Sequence, residues 1–330
     1  MILEMKILIH EPEPGAGEMK QLLQKQGFDD VITQWGEAGF PAHMKGVEIL
    51  LTEFAPENVI EAGEPTLKFI QCIYRGVDGI DLNAAKNADV IVSHTGSNII
   101  STAEHTMALI LAVAKKILPS DRALRQGNWE YSYYGNEYSV LLHGKTLAII
   151  GLGAIGQEVG VRAKAFGMRV IGIRRSGKSV PFAEVYKPDQ LHEVLRQADV
   201  IVITTSLTPE TKNLLGSKEI AQIKPNCLFI NTSRGLTVDP ASLYVALKEK
   251  RIAGAGIDVW YNYPAFGHED ERVLPADQPF HELDNVVMTP HRAGFVIEAK
   301  NAYYKEAVEN VIRFMKGETA HDLIDLDKGY

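Results

Sequence analysis

Cysteine, clusters of basic residues and long apolar runs are all scarce in this sequence of 330 residues. Cys72 and Cys227, the only cysteines, each stand inside an apolar run, which favours buried reduced thiols over a disulfide. No run of Lys and Arg is longer than two, and the net charge is −8, which argues against nucleic acid or an anionic membrane as a partner. Small molecules are therefore the expected partners.

The apolar run at residues 107–114 is far shorter than the ~20 residues that a membrane-spanning helix needs, and Lys115 and Lys116 close it. The first strand-like segment carries Glu4 and Lys6 and no small-residue cleavage site, so it predicts a strand rather than a signal peptide. We expect a cytoplasmic protein of ordinary globular composition, 45% hydrophobic and 23% charged.

Short β-rich apolar runs alternate with amphipathic stretches along most of the chain. Between about residues 145 and 290 these runs are TLAIIG, MRVIGI, DVIVIT, CLFIN, AGAGIDV and NVVMTP, and a less regular series precedes them, KILIH, VEILLT, LKFIQCIY and DVIVSH. Strands that are apolar on both faces indicate a parallel sheet covered by helices on each side. The sequence therefore predicts an α/β fold with two doubly wound parallel-sheet domains.

Two long helices, predicted over residues 101–118 and 295–316, flank the larger block. The second helix would return the chain to the first domain. Residues 1–97 and 295–330 then form a smaller substrate domain, residues 98–294 form an inserted dinucleotide-binding domain, and a cleft separates them. Residues 125–145 are aromatic-rich with little periodicity, and are interpreted as the arm of a homodimer or as a packed loop, with the arm favoured.

A glycine-rich turn follows the first strand of the larger domain. Gly151, Gly153 and Gly156 have the spacing G-x-G-x-x-G, with a strand before them and a helix after them. Such glycines permit a tight turn, close approach of a pyrophosphate and close packing of helix on strand, and the amides that open the helix, with Ala154 and Ile155, bind anions. This pattern predicts a dinucleotide site rather than an ordinary glycine turn.

The end of the second strand in the same domain lacks an acidic residue. Arg174, Arg175 and Ser176 stand where an Asp or Glu would accept hydrogen bonds from the ribose of NAD. Two cations and a hydroxyl suit a 2′-phosphate. NADP(H) is therefore the preferred cofactor, NAD(H) is the alternative, and a solvated basic corner is the simplest competing interpretation.

Arg234 and His291 each follow the end of a predicted strand, where open α/β sheets bind their ligands. A guanidinium binds a carboxylate through two hydrogen bonds, and an imidazole transfers protons near neutral pH. The other histidines lack the spacing of metal ligands, so no metal site is expected. For His105, on the first long helix, a structural role is expected.

The ordered series NIISTAEHTMALIL, GKTLAIIGLGAIG, SLTPETKNLLG, FINTSRG, GAGIDVW and TPHRAG resembles the D-isomer-specific 2-hydroxyacid dehydrogenase family, which includes glyoxylate and hydroxypyruvate reductases. The resemblance implies a Rossmann cofactor domain inserted in a flavodoxin-like substrate domain, and a dimer. It also implies that Arg234 holds the substrate carboxylate and that His291 donates or accepts the proton. The remaining implied positions are Tyr74, Arg75, Gly76 and Asn98 for the substrate, and Thr102, Thr205, Ser206, Thr211, Thr232, Asp258, His291 and Ala293 for the cofactor.

Tyr263 is the main departure from the family pattern. Most members have a glutamate there, five residues after the aspartate, and that glutamate pairs with the histidine. A carboxylate raises the pKa of a histidine, whereas a neutral phenol adds no charge, so His291 is expected to protonate less readily. Glu269, Asp270 or Glu271 would be alternative sources of the missing charge.

The leading hypothesis is an NADP(H)-dependent reductase of small 2-oxo acids that forms D-2-hydroxy acids, with activity declining as pH rises through about 6 to 7. A second hypothesis is hydride transfer without a proton relay, because formate dehydrogenases in the family also have a neutral residue at the Tyr263 position. A third is a dinucleotide-sensing protein that acts through partners, which the presence of Arg234 and His291 disfavours.

Overall fold

The computed structural model describes residues 5–36, 40–135, 137–265 and 270–330. The chain divides into two compact units: unit 1 comprises residues 1–98 and 295–330, and unit 2 comprises residues 99–294. The first division falls one residue after the predicted crossing. The separate functions assigned to the two domains stay predictions. Within these described ranges, no helix is both long and apolar enough to cross a membrane.

Unit 1 is built on a five-stranded, fully parallel sheet in the order β2-β1-β3-β4-β5. The strands are β1 Ile7–His10, β2 Val31–Gln34, β3 Ile49–Thr52, β4 Phe69–Cys72 and β5 Ile91–Ser93. Its helices are α1 Gly15–Gln24, α2 Phe40–His43, α3 Glu57–Gly63, α4 Leu82–Asn87 and, from the end of the chain, α11 Ile297–Met315. The strand order reverses between β1 and β3, as in flavodoxin-like folds.

Unit 2 is built on a seven-stranded parallel sheet in the order β12-β11-β10-β9-β6-β7-β8. The strands are β6 Thr146–Ile150, β7 Arg169–Ile173, β8 Glu184–Tyr186, β9 Val200–Ile203, β10 Leu228–Asn231, β11 Gly254–Ile257 and β12 Val286–Met288. The helices are α5 Ile99–Ala114, α6 Ile117–Arg125, α7 Ala154–Ala165, α8 Leu191–Gln197, α9 Ser217–Ile220 and α10 Pro240–Lys248. Strands β6 and β9 are neighbours at the point where the order reverses, which is the Rossmann arrangement.

The central strands are buried along their whole length because helices cover both faces of each sheet. In unit 2, one face of the sheet packs against Leu195 and Leu247, and the other packs against Ile110 and Val159. The Asp239 side chain caps α10 by accepting a hydrogen bond from the Ser242 amide, and Pro240 occupies the first helical position. Both doubly wound domains predicted from the sequence are confirmed.

The first long helix was predicted incorrectly as a single element. Helix α5 ends at Ala114 and α6 begins at Ile117. Between them Lys116 has a φ of +50°, in the left-handed region, which a continuous right-handed helix cannot contain. The α5 helix also begins two residues earlier than predicted, at Ile99, so that His105 lies in its second turn.

Candidate active site

The glycine turn of unit 2 lies at the carboxyl end of β6. Gly151 has a φ of +101°, and a Cβ atom there would lie 2.7 Å from the Thr205 amide nitrogen, just past β9. A Cβ on Gly156 would lie 2.6 Å from the Gly151 carbonyl oxygen, whereas a Cβ on Gly153 would meet nothing within 4 Å. The first and third glycines are therefore required by packing, and the space at Gly153 is open for a ligand.

Helix α7 begins at Ala154, directly after this open position. The first amides of a helix have no acceptor within the helix, so those of Ala154, Ile155 and Gly156 are directed toward its N-terminal end. The hydroxyl oxygens of Thr205 and Thr102 are buried and have no hydrogen-bond partner among the described residues. Free amides, an uncovered glycine and two unpartnered hydroxyls fit a polar ligand of dinucleotide type.

The Thr102 backbone carbonyl and the hydroxyls of Thr106 and Thr232 form a hydrogen-bonded cluster. Thr106 donates its hydroxyl to the Thr102 carbonyl at 2.7 Å, and the Thr106 and Thr232 hydroxyl oxygens are 2.9 Å apart. Because Thr106 has only one hydroxyl proton, Thr232 is the donor in that second bond. The cluster joins α5 to the end of β10.

The arginine corner lies at the carboxyl end of β7, where Arg174 is half-buried and Arg175 and Ser176 are exposed. Arg175 forms an ion pair with Glu210, and Arg174 donates to the Lys178 carbonyl at 3.4 Å. The Ser176 hydroxyl accepts from the Lys178 amide at 3.4 Å. These groups are accessible to a phosphate, but Glu210 competes for Arg175.

Thr211 and Ser206 belong to the loop that carries Glu210. The Thr211 hydroxyl donates to the Ser206 carbonyl at 2.6 Å and accepts from the Thr208 amide at 2.7 Å. The hydroxyl of Thr211 therefore shapes the loop, while the Ser206 side chain is exposed.

Arg234, Asp258 and His291 follow three neighbouring strands, β10, β11 and β12, at the same edge of the sheet. Arg234 is half-buried in an extended conformation, and its Nη1 donates to the Ser233 carbonyl at 2.8 Å. His291 is exposed and has a φ of +52°. The sheet thus brings a cation, a carboxylate and an imidazole to one edge.

Asp258 is fully buried and binds the loop that carries His291. Its Oδ1 accepts from the Thr289 hydroxyl at 2.5 Å and from the Arg292 amide at 3.0 Å, and its Oδ2 accepts from the Ala293 amide at 2.9 Å. Burial by itself would raise the pKa of Asp258, but the hydrogen bonds from His105, Thr289 and the two amides lower it below its ordinary value. The carboxylate is therefore ionised.

Tyr263 contacts His291 directly, with ring centroids 5.6 Å apart and an angle of 53° between the ring planes. Its hydroxyl accepts a hydrogen bond from the Trp260 amide at 2.9 Å, which fixes the ring beside the imidazole. Glu269, one of the three carboxylates considered as substitutes for the missing glutamate, lies outside the described residues.

The residues predicted to bind substrate lie in unit 1, and Tyr74 is held there by a glutamate that the sequence analysis missed. The Tyr74 hydroxyl donates to Glu11 Oε1 at 2.8 Å, and the Tyr304 hydroxyl lies 3.3 Å from the same oxygen. Glu11 immediately follows β1, so the rule that selected Arg234 and His291 would also have found it.

The rest of the predicted substrate segment is also described. Burial lowers the pKa of Arg75, and the nearby Asp322 acts against that effect. The Gly76 carbonyl accepts from the Cys72 thiol at 3.2 Å, and Asn98 is the last residue of unit 1 before α5.

Comparison with known proteins gives consistent matches. The model of the D-isomer specific 2-hydroxyacid dehydrogenase NAD binding domain matches residues 107–293. A glyoxylate reductase from Korarchaeum cryptofilum is 35% identical over 84% of this chain and 81% of its own length. A D-3-phosphoglycerate dehydrogenase from Methanocaldococcus jannaschii is 33% identical over 98% of this chain, which spans 60% of that relative's length.

Among solved structures, an acyclic imino acid reductase in complex with NADPH and D-Arg superimposes with a TM-score of 0.83. It is 28% identical in sequence, and the match covers 96% of this chain and 99% of that one.

Proposed function

The chain belongs to the D-isomer-specific 2-hydroxyacid dehydrogenase family, and from this premise we propose that it is an NADP(H)-dependent reductase of small 2-oxo acids such as glyoxylate or hydroxypyruvate. The observation that carries the proposal is the arrangement of Arg234, Asp258 and His291 after three neighbouring strands. Family membership brings a nicotinamide cofactor, and the open position at Gly153 with the free amides of α7 suits its pyrophosphate.

The proposed chemistry divides between the cofactor and the chain. NADPH, when bound, supplies the hydride. Arg234 binds the substrate carboxylate and stabilises the negative charge that develops on the carbonyl oxygen. His291 donates a proton to that oxygen. Asp258 keeps the loop of His291 in position.

The test is steady-state oxidation of NADPH with glyoxylate, hydroxypyruvate and pyruvate at pH 6 and pH 8. We expect turnover by the wild type. Arg234→Gln and His291→Gln should each lower kcat/KM by about 100-fold or more while NADPH still binds, because each variant removes a group that acts on the reacting carbonyl. Failure of every 2-oxo acid with both NADPH and NADH would refute the proposal.

Preference for NADP(H) over NAD(H) is supported by the arginine corner. Replacing Arg174 and Arg175 by Ser should lower the ratio of kcat/KM for NADPH to that for NADH by about tenfold or more, because charge-assisted hydrogen bonds contribute about 1.5–3 kcal/mol each. Glu210→Gln should raise NADPH affinity a few-fold, since an exposed ion pair contributes only about 0.2–1 kcal/mol. The control is Arg169→Ser, a cation at the amino end of the same strand. An unchanged ratio in the double variant would refute the preference.

Tyr263 favours a second candidate function, hydride transfer without a proton from His291. A phenol ring contacts the histidine where most of the family has a glutamate. Two reactions fit: oxidation of formate, and reduction of a protonated 2-imino acid, whose C=N bond becomes an amine by gaining hydride alone. The imino acid reductase similar to this chain makes the second reaction relevant. Turnover of formate or of an imino acid, with none of any 2-oxo acid, would establish this alternative.

Tyr263→Glu separates the two candidates. If the chain is a 2-oxo acid reductase, a carboxylate beside His291 should extend activity toward pH 8, because it raises the pKa of the imidazole. Tyr263→Phe is the control, since it keeps the ring and removes the hydroxyl that binds the Trp260 amide. A profile of Tyr263→Glu identical to that of the wild type would show that the side chain at this position does not tune the proton donor.

The proposal includes a homodimer whose arm is the aromatic segment that follows α6. Trp129, Tyr133, Tyr134 and Tyr138 are all strongly exposed. Aromatic side chains on a surface are typical of protein interfaces.

A further inference from the structure

His291 is held in a backbone conformation that residues other than glycine adopt only with strain. Its φ of +52° lies in the left-handed region, which is unfavourable by about 1–2 kcal/mol. Three successive amides bind Asp258 in compensation: that of His291 donates to the Asp258 carbonyl at 2.7 Å, and those of Arg292 and Ala293 donate to its carboxylate. The conformation of this loop therefore depends on where the Asp258 carboxylate is.

A hydrogen-bond relay from α5 reaches the same carboxylate. His105 Nε2 lies 3.1 Å from the Thr289 hydroxyl oxygen and 3.4 Å from Asp258 Oδ1. The Thr289 hydroxyl donates its only proton to Oδ1, so in its contact with His105 it must be the acceptor. His105 Nε2 therefore carries a proton, and the order of donation is His105 to Thr289 to Asp258.

The relay is anchored on a rigid helix. Met107, Leu109 and Ile110, on the same stretch of α5, are buried in the core of unit 2. The backbone of His105 is therefore held in place by the core contacts of α5. The buried Asp258 carboxylate receives hydrogen bonds from α5 and from the His291 loop. Loss of the α5 donor would leave the Thr289 hydroxyl oxygen without its donor and free the loop to relax from the left-handed conformation.

On the basis of the proposed function, we infer that His105 is a positioning residue: through Thr289 and Asp258 it holds the His291 imidazole where it transfers its proton. His105 itself touches no reacting atom in this scheme. A packing role would require only the shape of the imidazole, whereas the relay requires its Nε2–H.

Two pairs of variants distinguish shape from hydrogen bonding. His105→Leu removes the N–H donor and Thr289→Val removes the hydroxyl, each at similar volume. His105→Gln and Thr289→Ser are the conservative pair, because Gln keeps a side-chain N–H and Ser keeps the hydroxyl. We expect the first two to lower kcat by about tenfold or more with KM for NADPH changed less than about threefold, because a small misplacement of a catalytic group is costly. The conservative pair should retain most of kcat. His192→Leu, at an exposed histidine paired with Glu219, is the matched control.

NMR of protein labelled with ¹⁵N-histidine gives a readout independent of turnover. The His291 signals, assigned with His291→Gln, should move in His105→Leu and Thr289→Val and stay in place in the conservative pair. Unmoved His291 signals in Thr289→Val, or equal losses in all four variants, would overturn the inference. A wild type without 2-oxo acid turnover would refute the proposed function instead, and the His291 signals would still decide whether His105 positions the ring.

Discussion

Glu11 shows how one buried carboxyl group can couple the predicted substrate loop to pH. Its side chain is 2% exposed. Burial raises its pKa to about 7, the Tyr74 hydrogen bond partly offsets that rise, and the negative charge of Glu53 adds to it. Because the Tyr74 hydroxyl donates to this group, the predicted substrate loop rests on a carboxyl that changes charge near neutral pH.

Because of Glu11, the free energy of unfolding should decrease as pH rises from 4.5 to about 7. The pKa of Glu11 is about 7 in the folded chain, against an ordinary 4.5, so between these values the folded chain keeps a proton that the unfolded chain releases. The free energy of unfolding therefore decreases as pH rises across that window, by about 3 kcal/mol. Glu11→Gln cannot ionise and should be spared this loss.

Urea unfolding of wild type and Glu11→Gln at pH 5 and pH 8 measures the effect. The free energy of unfolding of Glu11→Gln, relative to that of the wild type, should be higher at pH 8 than at pH 5. Glu61→Gln, at an exposed glutamate of α3, controls for the loss of one negative charge. Equal pH dependence in all three proteins would contradict the burial of an ionisable group at position 11.

At the scale of elements, two glycines of the turn between β6 and α7 have different roles. Gly156→Ala should destabilise the fold by about 1–3 kcal/mol, because its Cβ would lie 2.6 Å from the Gly151 carbonyl oxygen and 2.9 Å from the Ile149 side chain. Gly153→Ala, with open space at its Cβ and an extended backbone, should cost less than about 1 kcal/mol.

NADPH affinity should respond in a different way. The added methyl group of Gly153→Ala would occupy the space that the pyrophosphate needs, so NADPH should bind about tenfold more weakly or worse, a loss of about 1.4 kcal/mol or more. Thermal unfolding and fluorescence titration with NADPH measure the two effects separately. A Gly153→Ala variant that binds NADPH as the wild type does would place the pyrophosphate elsewhere.

The elements that the sequence predicted are those with the strongest burial. Strands β1, β3, β4 and β9 are buried throughout, and each appears in the sequence as a predominantly apolar run. Strands β2 and β8, at sheet edges, have mostly half-buried or exposed residues and were not among the predicted runs. The apolar pattern of a strand reports its burial, so these two less buried strands carry a weaker signal than the buried ones.

The residues of the candidate site were also predictable only where the sequence itself marks their position. The glycine turn, the arginine corner, Arg234 and His291 were recognisable because each stands just past a strand. The relay of His105, Thr289 and Asp258 was not, since it depends on the register of β11 with β12, in which Ile257 lies opposite Met288, and on the rotation of α5. Neither quantity is encoded in local spacing.

At the scale of the whole molecule, the segment after α6 carries four exposed aromatic side chains, those of Trp129, Tyr133, Tyr134 and Tyr138. Its end is anchored, because the Val140 amide donates to the Ala114 carbonyl at 2.8 Å. Tyr133 and Tyr134 are 96% and 95% exposed, and their rings contact each other edge to face with centroids 5.7 Å apart. Two large aromatic residues so fully exposed favour a partner surface, and the proposed partner is a second copy of the chain.

Size-exclusion chromatography with light scattering tests this prediction. The wild type should have twice the monomer mass of 36.5 kDa. Replacing both Tyr133 and Tyr134 by Ser should shift the equilibrium toward the monomer, because aromatic residues contribute most of the binding energy of many interfaces. Each unit of the variant should keep its thermal stability. Phe166→Ser, at an exposed aromatic residue after α7, should leave the mass unchanged. A monomeric wild type would return the segment to the other interpretation, a loop packed on its own chain.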